Sequence, residues 1–165
     1  MNLILWALLA MAGAVRSADD PDTGAVTIDW QFSATPDEVW RAWTDPDLVG
    51  QWFGSDPAGK VTRATLDLRP GGEYSVTFED RTGLEHRASG VYRDVDRPRA
   101  LSFTWTWQSE PDHETQVRVV LTPRDGGTAM RFEHAQLWSG SSHGYEEGWR
   151  RTFAKMQRAI DAARR

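Results

Sequence analysis

Two histidines stand where strand alternation aims them inward. In "TAMRFEH", Met130, Phe132 and His134 share one face, and in "EHRASGVYRDV", His86 shares a face with Ala88 and Tyr92. An inward imidazole serves as a polar handle for a ligand or as a general base. The plainer reading is a strand-end histidine bonded to a carbonyl or to water. Glu133 points outward and is no partner for His134. A tyrosine such as Tyr74 or Tyr92 would supply the acid to either histidine. No Ser-His-Asp order, glycine-rich phosphate loop or metal-ligand spacing accompanies them, so no catalytic set, metal or cofactor is expected. "EPDHE", from Glu110 to Glu114, could offer carboxylates to a cation but reads as a solvated acidic hairpin loop. Arg150 and Arg151 read as helix surface.

Aromatic side chains are the stronger signal. The chain has nine tryptophans in 165 residues, three of them with Phe53 in the single stretch "VWRAWTDPDLVGQWFG". Most of the set Trp40, Trp43, Trp52, Phe53, Trp105, Trp107, Trp138 and Trp149 is expected in the core. Large rings, however, seldom pack without gaps unless something fills them. A flat-walled pocket for an apolar or aromatic ligand is the functional reading.

These residues need a scaffold, and composition allows one domain with a real core. Hydrophobic residues make up 39% and charged residues 26%, as in a globular protein. A net charge of −5 argues against nucleic acid, which needs a basic face. Cysteine is absent, which excludes disulfides and thiolate chemistry and leaves the compartment unread. "MNLILWALLAMAGAV" is too short to span a bilayer, for which ~20 apolar residues are needed. It resembles a signal peptide over residues 1–14, with Ala12-Gly13-Ala14 as cleavage site, though no Lys or Arg precedes the apolar run. The alternatives are an upstream start codon or an amphiphilic N-terminal helix. The expectation is export, otherwise a cytoplasmic protein, with residues 15–24 as linker, residues 25–165 as the domain, and no stable membrane insertion of that domain.

Within the domain, "AVTIDWQF" alternates as a half-buried strand. Thr35, Pro36 and Glu38 spell a capping box with proline at the first helical position, and Asp45-Pro46 repeats the start signal. The second short helix should stop at "WFG", where Gly54 can turn left-handed. From Val61 to His134 the period is two. Tyr74, Val76 and Phe78 face one way in one strand, and Leu101, Phe103, Trp105 and Trp107 in another. Short turns make the strands an antiparallel meander. From about Ser142, the positions Tyr145, Trp149, Thr152, Phe153, Met156 and Ile160 form the apolar stripe of a long helix. The expected fold is α+β: a curved seven-stranded antiparallel sheet gripping the C-terminal helix, with two short helices after the first strand.

The blocks "FSATPDEVWRAWTDPDLVGQWFG", "LRPGGEYSVTF", "SGVYRDVDRPRALSFTW", "VRVVLTPRDGGTAMRFEHAQL" and "GYEEGWRRTFAKMQRAI" resemble the START-like superfamily, also called SRPBCC or birch-allergen-like. The branch they resemble is named after the C-terminal domain of the activator of heat-shock protein 90 ATPase. The resemblance covers about Ala25 to Ala163. It implies a helix-grip fold with a hydrophobic cavity between sheet and long helix. Members bind lipids, sterols, polyketides or hormones, and a minority are cyclases, aromatases or hydrolases. Two features depart from the pattern: the apolar leader, and "QLWSGSSHGYEEGW", in which Trp138 and a Gly/Ser-rich loop are placed to act as a lid.

Three functions follow as expectations. Binding of a small hydrophobic molecule without catalysis comes first. Trp105, Trp107 and Phe132 would be the floor, Trp149 and Phe153 the roof, Trp52 and Phe53 the closure, Phe78 a further inward ring, and His134 the orienting hydrogen bond. A cyclase/aromatase-type enzyme using an internal histidine comes second. A chaperone-partner module comes third, because the chain leaves no room for the further N-terminal domain of the eukaryotic activator, and no stimulation of a heat-shock ATPase is expected. Ligand identity and oligomeric state are not readable from these residues.

Overall fold

The computed structural model describes residues 23–141 and 143–165. The signal-peptide reading of residues 1–14 lies outside them. The elements run β1 (Thr23–Phe32), α1 (Pro36–Thr44), α2 (Pro46–Trp52), β2 (Lys60–Leu66), β3 (Glu73–Glu79), β4 (Glu85–Asp96), β5 (Ala100–Trp107), β6 (Thr115–Arg124), β7 (Gly127–Trp138) and α3 (Tyr145–Ala163). The strands form one curved seven-stranded sheet in the order β1-β7-β6-β5-β4-β3-β2. Every pairing is antiparallel. No described helix is long and apolar enough to cross a membrane.

Local signals explain where the helices start. The Thr35 side chain accepts from the Glu38 backbone N–H at 3.3 Å, and Thr35 N–H donates to the Glu38 carboxylate at 2.7 Å, which completes the capping box. Arg164, just past α3, donates to both Glu38 oxygens and to the Ser33 carbonyl. Hydrogen bonds from Arg164 first, then Thr35, hold the Glu38 carboxyl down at about 2. One cap therefore ties the start of α1 to the end of α3. Thr35→Ala should cost about 1 kcal/mol in urea unfolding, and Thr35→Ser should recover most of it.

Alternation explains the core. Val76, Phe103, Val117, Val119, Leu121, Met130 and Phe132 are buried on the inner sheet face, against Phe153, Met156 and Ile160 of α3. The helical pair is driven into this layer rather than resting on its end. Trp43 of α1 packs against Trp52, Phe103, Phe132, Trp149 and Phe153, with centroids 5.2 to 6.3 Å away. Trp52 Nε1 donates to the Ala42 carbonyl at 2.8 Å and locks α2 to α1.

Two boundaries differ from the sequence reading. β1 begins at Thr23, inside the expected linker. β7 runs on to Trp138, which pairs with Thr23, so Trp138 belongs to the sheet rather than to a lid. Its ring stacks on His113 at 4.0 Å. A bulge absorbs the extra length, with Gln136 at φ 61°. The connection to α3 is short, and the helix begins at Tyr145 instead of Ser142.

Candidate ligand-binding site

Between the β3–β5 inner face, the loop after α2 and the first turns of α3 lies a pocket of about 330 Å³, open on one side. Its apolar walls are Phe53, Phe78, Trp105, Trp107 and Trp149. Strand alternation supplies Phe78, Trp105 and Trp107, while the i, i+4 spacing of α3 supplies Tyr145 and Trp149. The rings brace one another. Phe53 stacks on Trp105 at 5.4 Å, and Trp105 meets Trp107 and Trp149 edge-on at 5.1 and 5.2 Å.

The loop wall depends on two contacts. Gly54 takes φ +88°, and a Cβ there would meet the Phe78 ring at 2.9 Å, so this turn needs glycine. Lys155 Nζ reaches from α3 to donate to the Gly54 carbonyl at 2.9 Å and the Asp56 carbonyl at 3.0 Å. Burial holds the Lys155 ammonium below its ordinary range.

Polar groups gather at the mouth. Arg81 grips Asp56 through Nε at 3.0 Å and a terminal guanidinium nitrogen at 2.9 Å, holding its carboxyl well below the usual range. Asp80 accepts from the Thr82 hydroxyl and N–H, and its second oxygen lies 3.1 Å from His86 Nε2. Those bonds, the Thr82 hydroxyl first, also depress its carboxyl. His86 stacks on Phe78 at 5.3 Å, and His143 stacks on Trp107 at 4.5 Å. Burial lowers the His143 pKa, against an opposing pull from Glu110. No three described His, Asp or Glu side chains converge as a metal site.

Of the residues singled out from sequence, Phe53, Phe78, Trp105, Trp107 and Trp149 come together on the pocket surface. Trp52, Phe132, His134 and Phe153 do not; each is at most 1% exposed in the core behind the walls. The Trp43 ring occupies the space between sheet and helix there, which moves the pocket toward the N-terminus of α3. His134 has no free nitrogen for a ligand. Trp149 Nε1 donates to its Nδ1 at 3.0 Å, so its proton sits on Nε2 and goes to Thr115 Oγ1 at 2.7 Å. Thr115 in turn donates to the Trp105 carbonyl at 3.0 Å. This chain holds the Trp149 indole and the Trp105 backbone from behind. Burial lowers the His134 pKa to about 3.

Tyr74 and Tyr92 also lie off this pocket, beside a separate void of about 20 Å³. The Tyr74 hydroxyl donates to the Thr104 carbonyl at 2.7 Å, and burial raises its pKa. His86 and Tyr92 share a strand face, as alternation predicts, but they line different cavities, so neither tyrosine joins His86 in one site. Sequence reasoning missed Asp80, His143, Tyr145 and Gly148. Gly148 carried a readable signal, because a glycine on the apolar stripe of α3 leaves room where a side chain would sit.

A seven-stranded antiparallel sheet around a C-terminal helix, holding an aromatic pocket at the helix N-terminus, is the helix-grip class of α+β protein. The family model described as "Activator of Hsp90 ATPase homolog 1-like protein" matches residues 33–161, and the chain belongs to that family. Among solved structures, protein NE0264 from Nitrosomonas europaea superposes with a TM-score of 0.76 at 22% identity, over 88% of this chain and 98% of that one. The AHSA1-like protein from Aeromonas hydrophila gives 0.74 at 23%, over 85% and 94%. CalU16 from Micromonospora echinospora gives 0.63 at 26%, over 85% and 79%. These likenesses establish the fold and leave activity open. A comparison with curated proteins found no match.

Proposed function

We propose that this protein binds one small, largely apolar molecule in the pocket between the β3–β5 face and the N-terminal turns of α3. The observation that carries the reading is a cavity of about 330 Å³ walled by five large aromatic rings that do not fill it. That volume lies at the lower end of small-molecule sites. A bicyclic ligand burying about 300 Å² of apolar surface gains about 7 kcal/mol before the cost of association, which sets an affinity ceiling of about 10 μM and places the expected dissociation constant above it, toward the millimolar range, without an ion pair. The held Trp149 indole and the ring contacts that brace Trp105 keep the walls formed before the ligand arrives, which limits the ordering cost.

Native mass spectrometry of protein purified without added ligand tests this, followed by tryptophan-fluorescence titration with the neutral bicycles tetralin and 1-tetralone. One bound molecule per chain and a saturable spectral shift are expected. Trp105→Ala should weaken binding at least about tenfold, because it removes the ring on which Phe53 stacks. An empty protein that no neutral bicycle shifts would refute the reading.

A second reading, an enzyme, rests on the Asp80–His86 pair. In the tautomer that gives Nε2–H to Asp80, Nδ1 is the base beside an apolar cavity. If that is its use, His86→Gln will leave ligand affinity unchanged and abolish turnover of the bound molecule.

A further inference from the structure

The walls hold donors that the protein itself does not satisfy. Trp105 is 3% exposed, and its Nε1–H is buried without an acceptor among the described residues. Trp107 Nε1–H is likewise unpartnered. The Tyr145 hydroxyl approaches it without making a hydrogen bond of proper geometry. Trp52, Trp149, Tyr74 and His134 of the core, by contrast, each close a hydrogen bond at 3.0 Å or less. Trp43 Nε1 is a third buried donor without a partner among the described residues, away from this pocket. A buried donor left unmet is costly, and two neighbouring ones on one pocket wall point to an acceptor brought by a ligand.

Charge restricts that acceptor. No arginine or lysine among the described residues lines the pocket. Two cations bonded to lining residues are committed there, Arg81 to the Asp56 carboxylate and Lys155 to the Gly54 and Asp56 carbonyls. Asp80 lines the pocket, and Glu110 lies 3.8 Å from His143 Nε2 at its mouth. A carboxylate or phosphate ligand would meet like charge, and the lining histidines already face carboxylates, His86 toward Asp80 and His143 toward Glu110.

Resting on the ligand-binding reading above, we infer that the ligand is an uncharged apolar molecule carrying a carbonyl or ether oxygen, which the indole N–H groups of Trp105 and Trp107 meet, and that anionic lipids are excluded. A ketone satisfies an indole donor without bringing charge, and its apolar body stacks on Phe53, Phe78 and Trp149.

Three matched probes test this by calorimetry at pH 7.5: 1-tetralone, tetralin, and the anion 1,2,3,4-tetrahydronaphthalene-1-carboxylate. The carboxylate should bind at least tenfold more weakly than the ketone. Trp105→Phe or Trp107→Phe, which keep a ring and remove the N–H, should lower ketone affinity relative to tetralin about fivefold, as loss of one net hydrogen bond does. If both variants fold poorly, the unmodified protein decides: the Trp105 or Trp107 indole proton should move downfield with the ketone and not with tetralin. Tight carboxylate binding, or a ketone-to-tetralin ratio unchanged in both variants with no downfield shift, would overturn the inference while leaving the pocket reading intact. Failure of all three probes to bind would remove that reading and this inference with it.

Discussion

Lowering the pH from 7 to 4 is expected to strip several kcal/mol from the folding stability, and His134→Gln should flatten most of that dependence above pH 5. His134 is fully buried and kept neutral by burial, with a pKa of about 3 in the folded state. An unfolded histidine titrates near 6.5. Below about pH 6.5 the unfolded chain therefore takes up a proton that the native protein refuses. The stabilisation is full above that pH and is lost progressively as the pH falls toward the folded value, with a slope of at most about 1.4 kcal/mol per pH unit. Burial lowers the pKa of His143 in the same direction. Glu38, Asp56 and Asp80, which partners hold low, contribute to acid sensitivity mainly below about pH 5. The window between pH 6.5 and 5 thus belongs to the histidines. Glutamine can accept from Trp149 Nε1 and donate to Thr115, so the variant should remain folded at pH 7 with a modest loss of stability. Urea unfolding at half-unit pH steps reads both slopes. An equally steep slope in the variant would remove His134 as the cause.

Gly148→Leu is expected to abolish ligand binding without unfolding the protein. Gly148 lies within α3 and lines the pocket. A Cβ at this position would meet Ser55 Cβ at 3.8 Å, an ordinary contact, so the backbone accepts a side chain without strain. Replacing an interior glycine also gains about 1 kcal/mol of helix propensity for alanine and nearly as much for leucine. The rest of the leucine side chain extends into space bounded by Trp105, Trp107 and Trp149, where the ligand would sit. Affinity for 1-tetralone should fall more than tenfold, with the melting temperature unchanged or raised. Gly148→Ala is the control, with raised stability and a small loss of affinity. Unchanged affinity in Gly148→Leu would place any binding site elsewhere.

Much of the architecture was legible because the cues were local. The Thr35–Glu38 capping box, the Asp45-Pro46 start, the left-handed Gly54 and the alternation of β3, β5 and β6 are each contained within a few residues. The pocket was half legible for the same reason. Alternation and helical spacing report the direction of a side chain, and they correctly sent Phe132, His134 and Phe153 inward. They do not report how closely the facing layers approach. That distance is set by Trp43, which belongs to a different element and fills the gap between Phe132 and Phe153. The mouth was illegible because its groups meet through tertiary geometry. Asp80 reaches His86 across a turn, and His143 stacks on Trp107 from the connection before α3, 36 positions further along the chain. The closed chain Trp149–His134–Thr115–Trp105 joins α3, β7, β6 and β5, and no sequence spacing encodes it.

The most direct test of the pocket is a ¹H–¹⁵N spectrum of the tryptophan indoles, recorded with and without saturating 1-tetralone. The indole protons of Trp105, Trp107 and Trp149 should move together and saturate at one ligand per chain, while those of Trp40, Trp43 and Trp52, buried away from the pocket, stay in place. No movement at any indole, or movement confined to the exposed Trp138, would contradict the claim that this protein holds its ligand between the sheet and α3.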